Sequence, residues 1–157
     1  MANKNENNKS NLRKVITKMM TVDKGVDEVF DFFQNIKNME IGGAIKSVTK
    51  GDDGWWTFEH IVAGKSKLKQ ISVREFGILD HQFIGGELVW DVHIRIISNQ
   101  KGSTTTWTFI RPDGLTEEQF EEQLKGFDKE IDRWKKALQI NGNKSGHLAQ
   151  FSIYKES

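Results

Sequence analysis

The residues with the most chemical potential sit in short alternating segments. From Leu88 to Ile97 the even positions are Leu88, Trp90, Val92, Ile94 and Ile96, while the odd positions include Asp91, His93 and Arg95. Side chains of a strand point alternately to its two faces, so the apolar even set claims the buried face and Asp91, His93 and Arg95 share the other. A carboxylate next to an imidazole is a proton-transfer arrangement. The alternation is so clean that a solvated outer face with cross-strand ion pairs is the preferred reading. A second row, Trp56, Phe58 and His60, lies opposite Trp55, Thr57 and Glu59. Its apolar character turns it inward and sets His60 at the end of an aromatic wall, as a general base, as the anchor for a ligand's polar end, or as a rim residue bonded to backbone. His60 is the one weak catalytic candidate; His93 and His81 stand behind it.

Ser103, Thr105, Trp107, Phe109 and Arg111 share a third face. Thr105, Trp107 and Phe109 are placed to face Phe127, Ile131 and Trp134 of a helical stripe further on. Such a wall suits either a filled core or a hollow one. Five Trp and ten Phe against one Tyr leave few polar handles, which favours an apolar or planar ligand. The expected ligand-lining set is therefore Trp56, Phe58, His60, Trp90, Trp107, Phe109, Phe127, Ile131 and Trp134. The four histidines are His60, His81, His93 and His147, and none falls in an HxH, HxxxH or HExxH spacing. No metal is expected. The glycines form neither GxGxxG nor GxxxxGK[ST], and GxSxG is missing as well, so nucleotide binding and a nucleophile elbow lack support and no cofactor is expected.

The elements that must position these residues follow from periodicity. Leu12 to Val22 is β-branched and Met-rich and reads as a strand. Gly25 to Gln34 reads as a helix, with Asp27 and Glu28 in its first turn and Val26, Val29, Phe30 and Phe33 on one stripe. A short helix or turn follows over Ile36 to Glu40. Turn signals at Gly51-Asp52-Asp53-Gly54, Gly64-Lys65, Gly77, Gly85-Gly86 and Asn99–Gly102 then cut the middle of the chain into an antiparallel meander of about six strands. After Pro112-Asp113-Gly114, Thr116 and Gln119 fit a capping box. Phe120, Leu124, Phe127, Ile131, Trp134 and Leu138 make a single stripe of about six turns, acidic early and basic late, with Asn141-Gly142 as its expected end. The segment LAQFSIYK beyond it reads as a loose strand or an ordered tail.

A chain of 157 residues predicts one domain, and 36% hydrophobic residues with 14 glycines beside 29% charged residues exclude wholesale disorder. No apolar run reaches the roughly 18 residues of a membrane-spanning helix, residues 1–11 lack the apolar stretch of a signal peptide, and there is no cysteine. A cytoplasmic location is the default these features suggest. Lys4, Lys9, Arg13 and Lys14 against Glu6 give the first 14 residues +3, leaving −2 of the net +1 for the rest. That slightly acidic body is not a nucleic-acid footprint. Residues 1–11 are expected to be a disordered polar tail, 12–140 the domain, and 141–157 a C-terminal extension. The resulting fold class is α+β: a curved antiparallel sheet of about seven strands wrapped around a long C-terminal helix, with one or two short helices after strand 1.

This order resembles the START-like SRPBCC superfamily and its helix-grip fold, nearest to the polyketide cyclase/dehydrase and lipid-transport branch. The resemblance is carried by Val29-Phe30-Asp31-Phe32-Phe33 with Asn35, Lys37 and Asn38, by the AIKSVTKGDDGWW hairpin, and by the terminal EIDRWKKAL, and it spans roughly Leu12 to Gln139. The chain departs from it at Met39, Glu40 and Ile41, where many members carry a Trp and a Pro. The resemblance implies a pocket between sheet and long helix, in a superfamily of enzymes, lipid carriers, receptors and chaperone regulators. The expectation is a non-enzymatic binder of a small hydrophobic molecule, such as a lipid or polyketide, with no nucleic-acid partner and with self-association into a homodimer left open. One alternative is a cyclase/dehydratase-like enzyme. The other is an interaction module with a filled core and an apolar patch at Met39–Ile41 or Leu148–Tyr154.

Overall fold

The computed structural model describes residues 12–154, with side chains described as far as residue 139. The expected tail, 1–11, lies outside the described residues. The first strand, β1 (Val15–Val22), leads into helix α1 (Val26–Gln34) and a 3-10 segment, Ile36–Gly42. The meander follows as β2 (Ile45–Lys50), β3 (Trp55–His60), β4 (Gly64–Gln70), β5 (His81–Gly85), β6 (Leu88–Asn99) and β7 (Gly102–Ile110). The last element is the long helix α2 (Glu117–Tyr154). All strand pairs are antiparallel in the order β1-β7-β6-β5-β4-β3-β2, so the first strand returns to pair with the last, Val15 with Ile110 through Val22 with Ser103. This is the expected α+β helix-grip architecture.

Alternation decides which face looks inward. In β6 the buried residues are Trp90, Val92, Ile94 and Ile96, and in β7 they are Ser103, Thr105, Trp107 and Phe109. The inward face of this half of the sheet meets α2 through Phe120, Leu124, Trp134 and Leu138, all buried, with Phe127 and Ile131 packed against them. The helix begins as its sequence predicts. The Thr116 N–H donates to Gln119 Oε1 at 2.9 Å and the Gln119 N–H donates to Thr116 Oγ1 at 3.1 Å, a reciprocal capping box.

The helix does not end where the sequence suggests. It runs through Asn141-Gly142, and LAQFSIYK contributes helix through Tyr154 rather than a strand. An Asn-Gly pair stops a helix only when the glycine turns left-handed; kept helical, it costs about 1 kcal/mol relative to alanine. The chain's one proline, Pro112, precedes the helix, so no residue past Gly142 lacks the N–H that helix needs.

The 3-10 segment is clamped to α2. Arg133 Nη1 donates to the Gly42 carbonyl at 2.9 Å, and Trp134 Nε1 donates to the Met39 carbonyl at 3.4 Å. A Cβ on Gly42 would stand 2.9 Å from the Trp134 indole, so only glycine allows this approach. Gly42→Ala is therefore expected to lower stability by about 1–3 kcal/mol, the range for overpacking a tight contact. Gly126→Ala, on α2 where a Cβ meets nothing within 4 Å, should be neutral or raise stability by roughly 0.5–1 kcal/mol. Urea unfolding of the two variants checks both signs.

Candidate functional site

The buried apolar residues form two clusters. The larger joins α1, β1, β6, β7 and α2; the smaller holds Ile36, Ala44, Ile45, Val48, Phe58 and Leu68, at the β2–β4 end of the sheet. Between them is a cavity of about 410 Å³, walled by members of both. Trp90, Val92, Trp107 and Phe109 form the β6–β7 side, and Leu124 and Phe127 the helix side. Phe58, Leu68 and Phe83 close the far end. Ile61, Val62 and Ala63 of the β3–β4 turn and Gly85, Gly86 and Glu87 of the β5–β6 turn form the mouth. Gly126, on the helix side, contributes no side chain to fill the space.

Six of the nine residues expected to line a ligand site meet on this wall: Phe58, His60, Trp90, Trp107, Phe109 and Phe127. Three do not. Trp134 is fully buried behind the wall, stacked on Trp107 with centroids 5.9 Å apart and set edge-on to Phe33 at 5.4 Å. Ile131 packs into the larger cluster. Trp56 packs on the smaller one, with Lys50 Nζ 5.6 Å from its ring. The helical stripe ran past the cavity because Trp134 and Ile131 sit where the sheet and helix are in direct contact, leaving no space to line. Thr105 is also core, and its Oγ1 has no hydrogen-bond partner.

Asp91, His93 and Arg95 lie on the exposed outer face of β6. His93 Nδ1 is 3.0 Å from Asp80 Oδ2, while the other Asp80 oxygen accepts the Ile94 N–H at 2.8 Å. This pair braces the loop before β5 against β6 and faces away from the cavity.

The cavity's own polar groups come from elsewhere. His60 Nδ1 accepts the N–H groups of Val62 and Ala63 at 3.1 and 3.2 Å, and its ring sits edge-on to Phe83 at 5.5 Å. The ring is thus both a brace for the β3–β4 turn and part of the cavity wall. Burial lowers its basicity, so it is held neutral. His81 faces inward from β5, and its Nδ1 is buried without a partner. Burial drives its pKa down to about 4, outweighing the attraction of Asp80. Gln123 and Glu130 project from α2. Burial pushes the Glu130 carboxyl up to about 8, against the opposing pull of Arg133.

Gln123 and Glu130 are functional candidates that the sequence reading missed. Each lies one residue before a stripe position, Leu124 and Ile131, and three from Gly126 or Phe127, so helical spacing places both on the flank of the inward face. A stripe drawn only through apolar residues passes them by. Among the described residues, no group of three or more His, Asp or Glu is placed to hold a metal ion, and no helix is long and apolar enough to cross a membrane.

No family model matches this sequence, and no curated protein matches it. Solved structures do. An uncharacterised protein from Bacillus thuringiensis superposes with a TM-score of 0.65 at 7% identity, over 80% of this chain and 99% of that one. The protein XoxI from Bacillus cereus gives 0.64 at 8% identity, over 80% and 95%. Ara h 8.0201 gives 0.61 at 13% identity, over 80% and 97%. At these identities the likeness is one of fold, and the class it defines is the Bet v 1-like helix-grip fold.

The raised Glu130 pKa has a thermodynamic consequence. Between the ordinary carboxylate value and about 8 the folded chain holds a proton that the unfolded chain has lost, so this group makes stability fall as pH rises through that window. Glu130→Gln removes the dependence. The variant should match the parent near pH 4.5 and exceed it by about 1–3 kcal/mol above pH 8. Urea titrations across the window check this; an unchanging difference between the two proteins would show that Glu130 is not buried as its carboxyl.

Proposed function

We propose that this protein binds a small, predominantly apolar molecule between its sheet and its long helix. The observation that carries the reading is the cavity of about 410 Å³ at the seam of the two core clusters, a volume in the range of small-ligand sites. The aromatic wall supplies affinity by burying ligand surface, at about 25 cal/mol per Å² before the cost of immobilisation. The resemblance to the lipid-transport branch of the START-like superfamily agrees with this, as does the shared helix-grip fold. An interaction module of the chaperone-regulator kind would have its core filled. Of the places such a module would expose, Met39 lines the cavity and Ile41 is exposed, while the side chains of Leu148–Tyr154 lie outside the described residues.

One observation favours a second reading, a proton-transferring enzyme of the cyclase or dehydratase kind. Inside its mouth the cavity wall carries the Glu130 carboxyl and two imidazoles, all shifted toward their neutral forms by burial, so an acid and a base are present together. The two readings part on the state of the ligand. A carrier returns its ligand unchanged, whereas an enzyme returns a dehydrated or cyclised product, and Glu130→Gln or His81→Phe would slow that conversion by at least about 100-fold.

Binding is tested by titrating the uncharged dye Nile red, with native mass spectrometry to count bound molecules. Leu88 is a half-buried wall residue. Leu88→Trp should lower dye affinity about tenfold or more by filling the cavity, with little change in the unfolding midpoint. Undiminished binding in this variant would move the ligand to another surface.

A further inference from the structure

We propose that the molecule held in this cavity is uncharged and carries a hydrogen-bond acceptor of the carbonyl class, a ketone, ester or quinone oxygen, gripped by His60 Nε2–H. This inference rests on the ligand-binding reading above and narrows its ligand.

The β3–β4 turn fixes the tautomer of His60. A nitrogen that accepts two backbone N–H groups, from Val62 and Ala63, has its lone pair engaged and carries no proton. A neutral imidazole must then carry its proton on the other nitrogen, so His60 offers Nε2–H as a donor. The orientation is set by the turn backbone and by Phe83 against the ring, so the donor is fixed before any ligand arrives. A donor fixed in this way, on a ring that lines an apolar cavity, selects an acceptor.

The charge of the lining completes the selection. Among the described residues, neither Lys nor Arg lines the cavity, whereas two carboxyl groups, Glu87 at the mouth and Glu130 inside, do. A ligand carboxylate would be buried without a counter-charge. A ligand ammonium would find a donor rather than an acceptor at His60, and inside it would find Glu130 protonated rather than ionised, because burial disfavours the charged form. A carbonyl oxygen meets neither obstacle. It can accept from His60, with the Gln123 amide as a further donor on the helix side.

The test uses the native chain and four probes of matched medium chain length: a methyl ketone, a carboxylate, a primary amine and an n-alkane, each displacing Nile red at neutral pH. The ketone is expected to displace the dye at concentrations at least tenfold below those of the carboxylate and the amine. The carbonyl stretch of the bound ketone should shift to lower frequency than in hydrocarbon solvent. His60→Asn keeps a side-chain acceptor for the Val62 and Ala63 N–H groups but places no N–H at the Nε2 position. It should cost the ketone about tenfold in affinity and leave the alkane unaffected, a change matching one hydrogen bond. A carboxylate binding as tightly as the ketone overturns the proposal while leaving the cavity reading intact, and so does a ketone-to-alkane ratio unmoved by His60→Asn. Failure of the dye itself to bind removes the cavity reading, and this inference with it.

Discussion

The contact on which the structure depends is the aromatic junction between the sheet and the long helix. Trp107 of β7 stacks on Trp134 of α2, and Phe33 of α1 meets both edge-on, at 5.4 Å from each ring. Phe127 closes the group against Trp107, Trp134 and Phe109. One apolar knot thereby joins the three elements that alone could not bury their hydrophobic faces. Aromatic pairs in these geometries contribute beyond their buried area. The knot also holds the helix in place along one stretch of the sheet, while near β2–β4 a second cluster forms separately. The cavity is the space left where two cores do not merge.

That origin explains the chemistry inside it. The walls are apolar because each belongs to a core, and the polar groups that reach it do so from flanking positions: His60 from a turn, His81 from a strand end, Gln123 and Glu130 from the margin of the helical stripe. Burial drives all the titratable ones toward their neutral forms, the imidazoles downward and the carboxyl upward. Inside the mouth, where Glu87 stands, the site is therefore polar without being charged. The outer face is the opposite case. Asp80, Asp91, His93 and Arg95 are ionisable and solvated, and their pairs contribute little to stability at such exposure.

The clamp at Met39 and Gly42 links the junction to the cavity. Arg133 and Trp134 hold the 3-10 segment from the helix side, and that segment contributes Met39 to the cavity wall. In the same segment Glu40 accepts the Val48 N–H at 2.9 Å. That bond falls in the part of β2 where the pairing with β3 shifts register between Lys46 and Thr49 and Ser47 adopts a positive φ of 59°. A carboxylate from the neighbouring segment thus supplies an acceptor where the ladder is interrupted.

The sequence by itself determined the elements and their faces. Period-two alternation in Leu88–Ile97 and in Ser103–Arg111, the stripe from Phe120 to Leu138 and the Thr116–Gln119 capping box are local signals, and each appears in the structure as its spacing requires. Fold class followed, because a half-buried seven-stranded sheet and one long amphipathic helix can satisfy each other in few ways. Alternation also assigned Asp91, His93 and Arg95 to the outer face. Only the tertiary structure decided where packing stops. Trp107 and Trp134 carry the same sequence signature, yet one lines the cavity and the other lies behind it. Glu130 looks like an ordinary charged helix residue until the separation of two clusters buries it beside an apolar space. Spacing encodes which way a side chain points; whether anything meets it there depends on the curvature of the sheet and the seating of the helix, and those are properties of the whole chain.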